Sequence, residues 1–330
     1  MIWLTWRQHR KQALFTVAAL AVLAALMAPT GLAMRHTFAA KGLKGCAGIL
    51  ANSGPPGPAG EACNTALRDF NNQYNVLLIM AVLFLVLPLL VGLFWGAPLV
   101  AREVEHGTHR LAWTQGISRR RWALVKFGLV SAFTLVASVG YGLGMAWWAT
   151  PLSQTGQQSR FDTLLFDMQG VAPIGYTIFA VALGVFAGTV WPKMLPAMAA
   201  TLVGFLGLRI VLTVLARPHY LAPLTRTYSI IGGSGRPTQS VGDWIIDRGV
   251  RDASGKLVQP NAEIVCPPGG QGPAGRPCGA DLGLGPGAYN WQLYQPGSRY
   301  WLFQSIETGI FAVLAVLLLY LAIRRIRRIA

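Results

Sequence analysis

Six apolar runs set the pattern of the chain, at residues 13–34, 74–100, 127–148, 173–190, 194–215 and 306–323. Each is close to the roughly 20 apolar residues that a helix needs to cross a bilayer. The polar segments between them are unequal. One, residues 101–126, reads AREVEHGTHRLAWTQGISRRRWALVK and forms a charged island between the second and third runs. The pattern predicts an all-α polytopic membrane protein with six transmembrane helices and a small irregular, β-containing region in the last long loop. An even number of spans puts both termini on one side.

The predicted organisation follows. Residues 1–12 read as an interfacial amphipathic helix, with Trp3, Trp6 and Arg7 suited to the membrane surface. Residues 13–215 hold five spans, the island 101–126 and two loops, 35–73 and 149–172. Residues 216–305 form the long loop region, and 306–330 the sixth span with a basic tail. The first run is longer than the apolar core of a signal peptide, so it reads as a retained anchor.

Composition agrees with the membrane class. Hydrophobic residues make up 53% of the chain and charged residues only 12%, against about 25% charged in soluble domains. The formal net charge of +16 would suggest nucleic acid if the bases formed a reading surface. They lie beside the spans instead, with no reader motif, so nucleic acid is set aside as a partner. The segments on the side of the termini carry 14 Lys and Arg and two acids, Glu103 and Glu105; the opposite loops, about three times as long, carry 13 bases and nine acids. By the positive-inside rule both termini and the island are cytoplasmic, in the plasma membrane, and anionic lipid is a partner of the basic segments.

All four cysteines, Cys46, Cys63, Cys266 and Cys278, fall in the loops assigned outside. Disulfides persist in oxidising compartments, so their placement supports the same orientation. Three connectivities are open, of which Cys46 with Cys63 and Cys266 with Cys278 is the simplest. In the last loop, Trp244, Ile245 and Ile246, a turn near Ala253, Ser254 and Gly255, then Leu257 and Val258 predict a hairpin.

The sequence offers little for catalytic chemistry. Gly255 and Lys256 are followed by Leu257, so no phosphate-cradling GxxxxGK[ST] exists, and His106 and His109 near Glu105 do not make HExxH. The run Gly232, Gly233, Ser234, Gly235 reads as a turn, since a serine nucleophile needs a base beside it. No metal or cofactor is expected on this chain, nor enzyme activity of its own. Acids are nearly absent from the spans, with Glu307 at the boundary of the sixth. Arg209 is the one base inside a span; it either snorkels to headgroups or faces a pathway and meets a polar or anionic substrate. Ala180, Gly184 and Gly188 recur at helical spacing and allow close helix approach, as do Gly140 and Gly144; Pro29 and Pro88 predict kinks.

The island reads as a helix continuing the second span, a break at Gly107 and Thr108, and a re-entering helix with Ser118 as N-cap. The order Glu103, Gly107, Thr108, Leu111, Thr114, Ser118, Arg119 and Lys126 resembles the E…GT…L…T…SR…K pattern of type 2 permeases of ATP-binding-cassette (ABC) exporters. The opening MIWLTWRQHRKQ and the closing YQPGSRYWLFQSIETGIF are similar to the actinobacterial branch. Many members carry Pro after the motif Thr, where this chain has Gln115. The resemblance implies a transmembrane subunit that works with a separate ABC ATPase, which binds ATP and Mg, and with a second permease subunit in a homo- or heterodimer. It also implies that Arg102, Glu103, Glu105, Gly107, Thr108, Leu111, Thr114, Ser118 and Arg119 belong to an ATPase-coupling element. The other reading of the residues is a non-transporting scaffold or sensor with a stapled, ligand-binding outer loop.

Overall fold

The structure is a computed structural model that describes residues 2–52, 58–107, 118–155, 159–232, 242–267, 269–271 and 276–326. Six helical segments are long and apolar enough to cross a membrane: Ala13–Ala40, Phe84–Glu105, Arg119–Gln154, Ala172–Val190, Met194–His219 and Gly297–Ile326. The chain is therefore a multi-pass, mostly helical membrane protein with a small antiparallel sheet.

The first span is part of α1, Ile2–Ala40, in which residues 2–12 continue into the membrane segment without a break. Residues 35–73, read from the sequence as a loop, are largely helical. After α1 come α2, Leu43–Asn52, and α3, Pro58–Val91, and the Cys46–Cys63 disulfide ties α2 to α3. A π-turn, Gly92–Gly96, joins α3 to α4, Ala97–Glu105. The third span is α5, Arg119–Gln154, followed by the short α6, Thr163–Met168. Then come α7, Ala172–Val190, and α8, Met194–Val211, which runs through a second π-turn, Leu212–Ala216, into a 3-10 turn, Arg217–His219. The last helix is α9, Tyr300–Ile326.

Small residues make α7 the centre of the bundle. A Cβ on Gly184 would lie 2.6 Å from both the Ala97 nitrogen and the Gly92 oxygen, and one on Gly188 would lie 2.8 Å from the Ala97 oxygen. The spacing Ala180, Gly184, Gly188 thus serves packing within this chain, whereas Gly140 and Gly144 face open space.

Prolines inside the spans leave the helices continuous. Pro88 cannot donate to the carbonyl of Phe84, one helical turn earlier, and the Tyr141 hydroxyl donates to it instead at 3.0 Å. Pro151 leaves the Trp147 carbonyl free in the same way, and Arg35 donates to it at 2.6 Å. In a bilayer each such orphan would cost several kcal/mol, roughly, because no water reaches it.

Beyond the spans, strands β1 (Leu224–Ser229), β2 (Trp244–Arg251), β3 (Leu257–Pro260) and β4 (Tyr289–Gln295) form one antiparallel sheet in the order β1-β4-β2-β3. The predicted hairpin is β2–β3. Its turn is pinned by Asp252, whose carboxylate accepts from the Ser254 hydroxyl and from the backbone of Ser254 and Lys256. These bonds, the hydroxyl's first, hold its pKa below the usual carboxylate value. The flanking strands β1 and β4 were not predicted. Cys266–Cys278 staples the connection between β3 and β4, so both cysteine pairs are sequence neighbours. Stacking of Phe161 on Trp244, 5.7 Å between centroids, and its edge contact with Phe303 at 5.2 Å join the sheet to α9.

The glycine packing predicts a sharp contrast. Gly184→Leu must push α7 away from the π-turn and should cost about 1–3 kcal/mol or more, while Gly144→Leu, with room for its side chain, should leave thermal unfolding in detergent nearly unchanged. Equal losses would contradict this packing.

Candidate functional site

Two polar constellations interrupt the apolar bundle, one at each end of α8. At the sheet end, two acids and two bases meet. Asp167 comes from α6, Arg209 from α8, Arg217 from the turn after it, and Glu307 from α9. Arg217 grips Glu307 through two nitrogens, Nε to Oε2 at 2.9 Å and Nη2 to Oε1 at 2.7 Å, and also reaches Asp167 Oδ1 at 2.6 Å. Arg209 pairs with the other oxygen of Asp167 and lies over the Tyr176 ring, 3.7 Å from its centroid. The Tyr176 hydroxyl donates to Glu307 Oε1 at 2.6 Å and also lies 3.1 Å from Asp167 Oδ1.

The formal charges cancel, which is what burial requires. Side chains of Asp167, Arg217 and Glu307 are 1–2% exposed, and an ion taken out of water without partners costs roughly several kcal/mol. Gln304, one turn before Glu307, closes the corner between α6 and α7. Its oxygen accepts from the first amides of that corner, Val171 and Ala172, at 3.0 and 2.7 Å, while its nitrogen donates to the Phe166 carbonyl. Arg209 therefore turns into the protein, and one of its nitrogens, Nη1, is buried without a hydrogen-bond partner. Asp167 was legible only as one of nine acids in the loops.

At the other end of α8 lies the island. Glu103 of α4 forms a salt bridge with Lys126 of α5, whose side chain is 4% exposed; the Lys126 ammonium also sits 5.0 Å from the centre of the Trp122 ring. Glu105 accepts from the backbone N–H of Met194 at 3.0 Å, where a helix N-terminus presents unpaired donors and a partial positive charge. Both acids of the island thus bind other helices of this chain. Gly107, at φ +68°, ends α4 in the left-handed conformation, and its N–H reaches the Val104 carbonyl at 3.2 Å. Ser118 caps α5, its hydroxyl accepting from the Arg121 amide at 3.3 Å.

Arg102 is exposed on the last turn of α4, Arg119 is half-buried, and Arg120 and Arg121 are exposed. Thr108, Leu111 and Thr114, together with Gln115, lie outside the described residues, as do Gly233, Ser234 and Gly235. Trp3, Trp6 and Arg7 sit on the helical backbone of α1, and their side chains lie outside the description. Among the described residues no group of three or more His, Cys, Asp or Glu is placed to hold a metal ion.

The family described as ABC-2 membrane transporter related matches residues 17–217. The chain belongs to this family. The matched region covers the first five spans and includes the island, Asp167, Arg209 and Arg217; the sheet and α9, which supplies Glu307, lie beyond it. Comparison with curated proteins and with solved structures gave no match. As a member of the ABC-2 family, the chain is a transporter membrane subunit, and membership implies an ABC ATPase as partner.

The charge cluster predicts strong coupling between Arg217 and Glu307. Glu307→Gln leaves one uncompensated positive charge buried and should cost about 3–5 kcal/mol. Arg217→Met combined with Glu307→Gln restores neutrality and should be less destabilised than the two single losses added, by about 1–3 kcal/mol. Thermal unfolding of the detergent-solubilised variants checks this, and additive losses would contradict it.

Proposed function

We propose that this ABC-2 subunit is the membrane half of an exporter, carrying no ATPase of its own, and that residues 101–126 receive the force of a separate ABC ATPase on the cytoplasmic side. The observation that carries the reading is the joining of the island to α8 by Glu105 in a chain whose family partners with such ATPases. A second permease subunit completes the pathway, and both termini lie with the island on the basic, cytoplasmic side.

The geometry supports a division of labour within the element. Because Glu103 and Glu105 are engaged by Lys126 and Met194, they act as the internal frame. The exposed bases Arg102, Arg120 and Arg121 form the docking face. Closure of the ATPase on ATP displaces the island, and a displaced Glu105 pulls or releases the N-terminus of α8. The far end of that helix bears Arg209, and Arg217 follows it by the π-turn, so the movement arrives at the cluster that joins α6, α8 and α9. A ligand shifts an equilibrium only through differential affinity for two states; here the ATPase contact supplies that difference. Docking of the outer loop as a scaffold or sensor would need no ATPase, and family membership favours transport.

The test uses the complex reconstituted in vesicles. The chain should copurify with an ATPase that carries a Walker A motif and should stimulate its activity. Arg120→Glu with Arg121→Glu should lower that stimulation about tenfold or more, equivalent to about 1.4 kcal/mol of coupling, with insertion and thermal unfolding unchanged. Unaltered stimulation would contradict the assigned docking face, and failure to bind any ATPase would contradict the exporter reading.

A further inference from the structure

A cavity of about 800 Å³ lies between α1, α3 and α5, away from both polar constellations. Its volume falls within the roughly 300–1,000 Å³ typical of ligand-holding pockets. The α1 residues that line it run from Phe15 to Thr30 and those of α5 from Phe133 to Trp148; at 1.5 Å per residue either stretch is about 22 Å long. The lining thus follows most of the hydrocarbon core, and the space is an elongated slot between the helices.

Its wall is apolar, and the few polar groups on it are already used. Trp95 Nε1 donates to Thr16 at 3.1 Å, Trp148 Nε1 donates to Thr30 at 3.0 Å, and Tyr141 is committed to the Phe84 carbonyl. The hydroxyls of Thr134, Ser138 and Thr177 donate to carbonyls of their own helices. A polar occupant would therefore lose its hydration and gain no partner, at a cost of roughly 1–3 kcal/mol per group. An alkyl chain loses nothing.

The sheet-side end of the slot is different. There Gly31 brings α1 against the rings of Trp147 and Trp148, narrowing the slot. One turn beyond Gly31 stands Arg35, its guanidinium 4.8 Å from the centre of the Trp147 ring. One of its nitrogens serves the Trp147 carbonyl, while Nε is buried without a hydrogen-bond partner. Arg35 pairs with no acid among the described residues. Asp69 of α3 lies 3.5 Å from Lys41. A cation that pairs with no acid among the described residues thus stands just beyond the last lining residues, Thr30 and Trp148, of an elongated apolar space.

We propose that this slot binds one alkyl chain of a single-chain anionic amphiphile, with the carboxylate or phosphate of its headgroup at Arg35. The site rests on the membrane-spanning architecture and not on the ATPase partner, so it stands or falls separately from the exporter reading. The probe is a C16 fatty acid bearing a diazirine in mid-chain, applied to the full-length protein in nanodiscs of neutral phospholipid and mapped by peptide mass spectrometry. Labelling should concentrate on residues 15–30 and 133–148 and be competed by unlabelled palmitate. Ala137→Trp, which fills the slot, should reduce it at least fivefold. Arg35→Gln should weaken competition by palmitate about tenfold but leave competition by hexadecanol, which lacks the charge, unchanged.

Labelling spread evenly over lipid-facing positions such as Val203 and Val316 would overturn the proposal, as would labelling indifferent to palmitate in the wild-type protein. Neither result depends on whether a variant folds. Equal competition by palmitate and hexadecanol in the wild type would overturn the assignment of Arg35. Crosslinks between α1 segments of two copies, with the slot closed to the probe, would overturn the proposal in favour of a second subunit as occupant.

Discussion

Four charges cancelling one another inside an apolar bundle are the constraint on which the far end of this protein depends. None of Asp167, Arg217 or Glu307 could be buried alone, and together they give every carboxylate oxygen a partner and engage two nitrogens of the Arg217 guanidinium. The requirement for neutrality fixes where α6 folds back, where the π-turn after α8 must deliver Arg217, and how α9 enters the membrane. It also explains Gln304, which takes up the backbone donors that the α6–α7 corner would otherwise leave open. The sheet then sits on this platform, joined to it through Phe161, Trp244 and Phe303.

The other end of the same helix is governed by a weaker version of the same rule. Glu105 answers the positive end of α8, and Glu103 answers the buried ammonium of Lys126. Between these ends α8 has little buried surface of its own, so polar contacts at its two ends secure what apolar packing along its length does not. A helix fastened in this way transmits displacement better than one embedded along its whole length, because sliding it breaks few packed contacts. The centre of the bundle is the opposite case. There α7 is held by backbone-to-backbone approach at Gly184 and Gly188.

Much of this was legible in the sequence, for reasons that lie in local chemistry. The six spans follow from length and hydropathy, the Ser118 cap from its position before three arginines, and the β2–β3 hairpin from its turn; the disulfides take the simplest of the three connectivities that the sequence left open. The break at Gly107 was read from the glycine itself. What stayed hidden depends on long-range pairing. Asp167 and Glu307 are 140 positions apart in the chain, and in sequence Asp167 is one loop acid among nine. Arg209 was visible as an anomaly, with snorkelling and a substrate contact both open. An intramembrane base is usually matched by an acid at its own depth, and that principle, applied to Arg209 and Glu307 together, points toward the cluster. The helices within residues 35–73 escaped notice because their polar faces look like loop composition, and β1 and β4 because each needs the others to form.

In the proposed mechanism α8 carries the coupling from the island to the charge cluster. That role is tested most directly by the distance between spin labels at Leu215→Cys, beside the cluster end of α8, and Thr163→Cys on α6; the native cysteines are held in disulfides. In the complex with its ATPase, trapping with ATP and vanadate should shift this distance distribution in the otherwise wild-type chain and leave it unshifted when Glu105→Ala is added. A shift that persists in full without the Glu105 carboxylate would contradict the account.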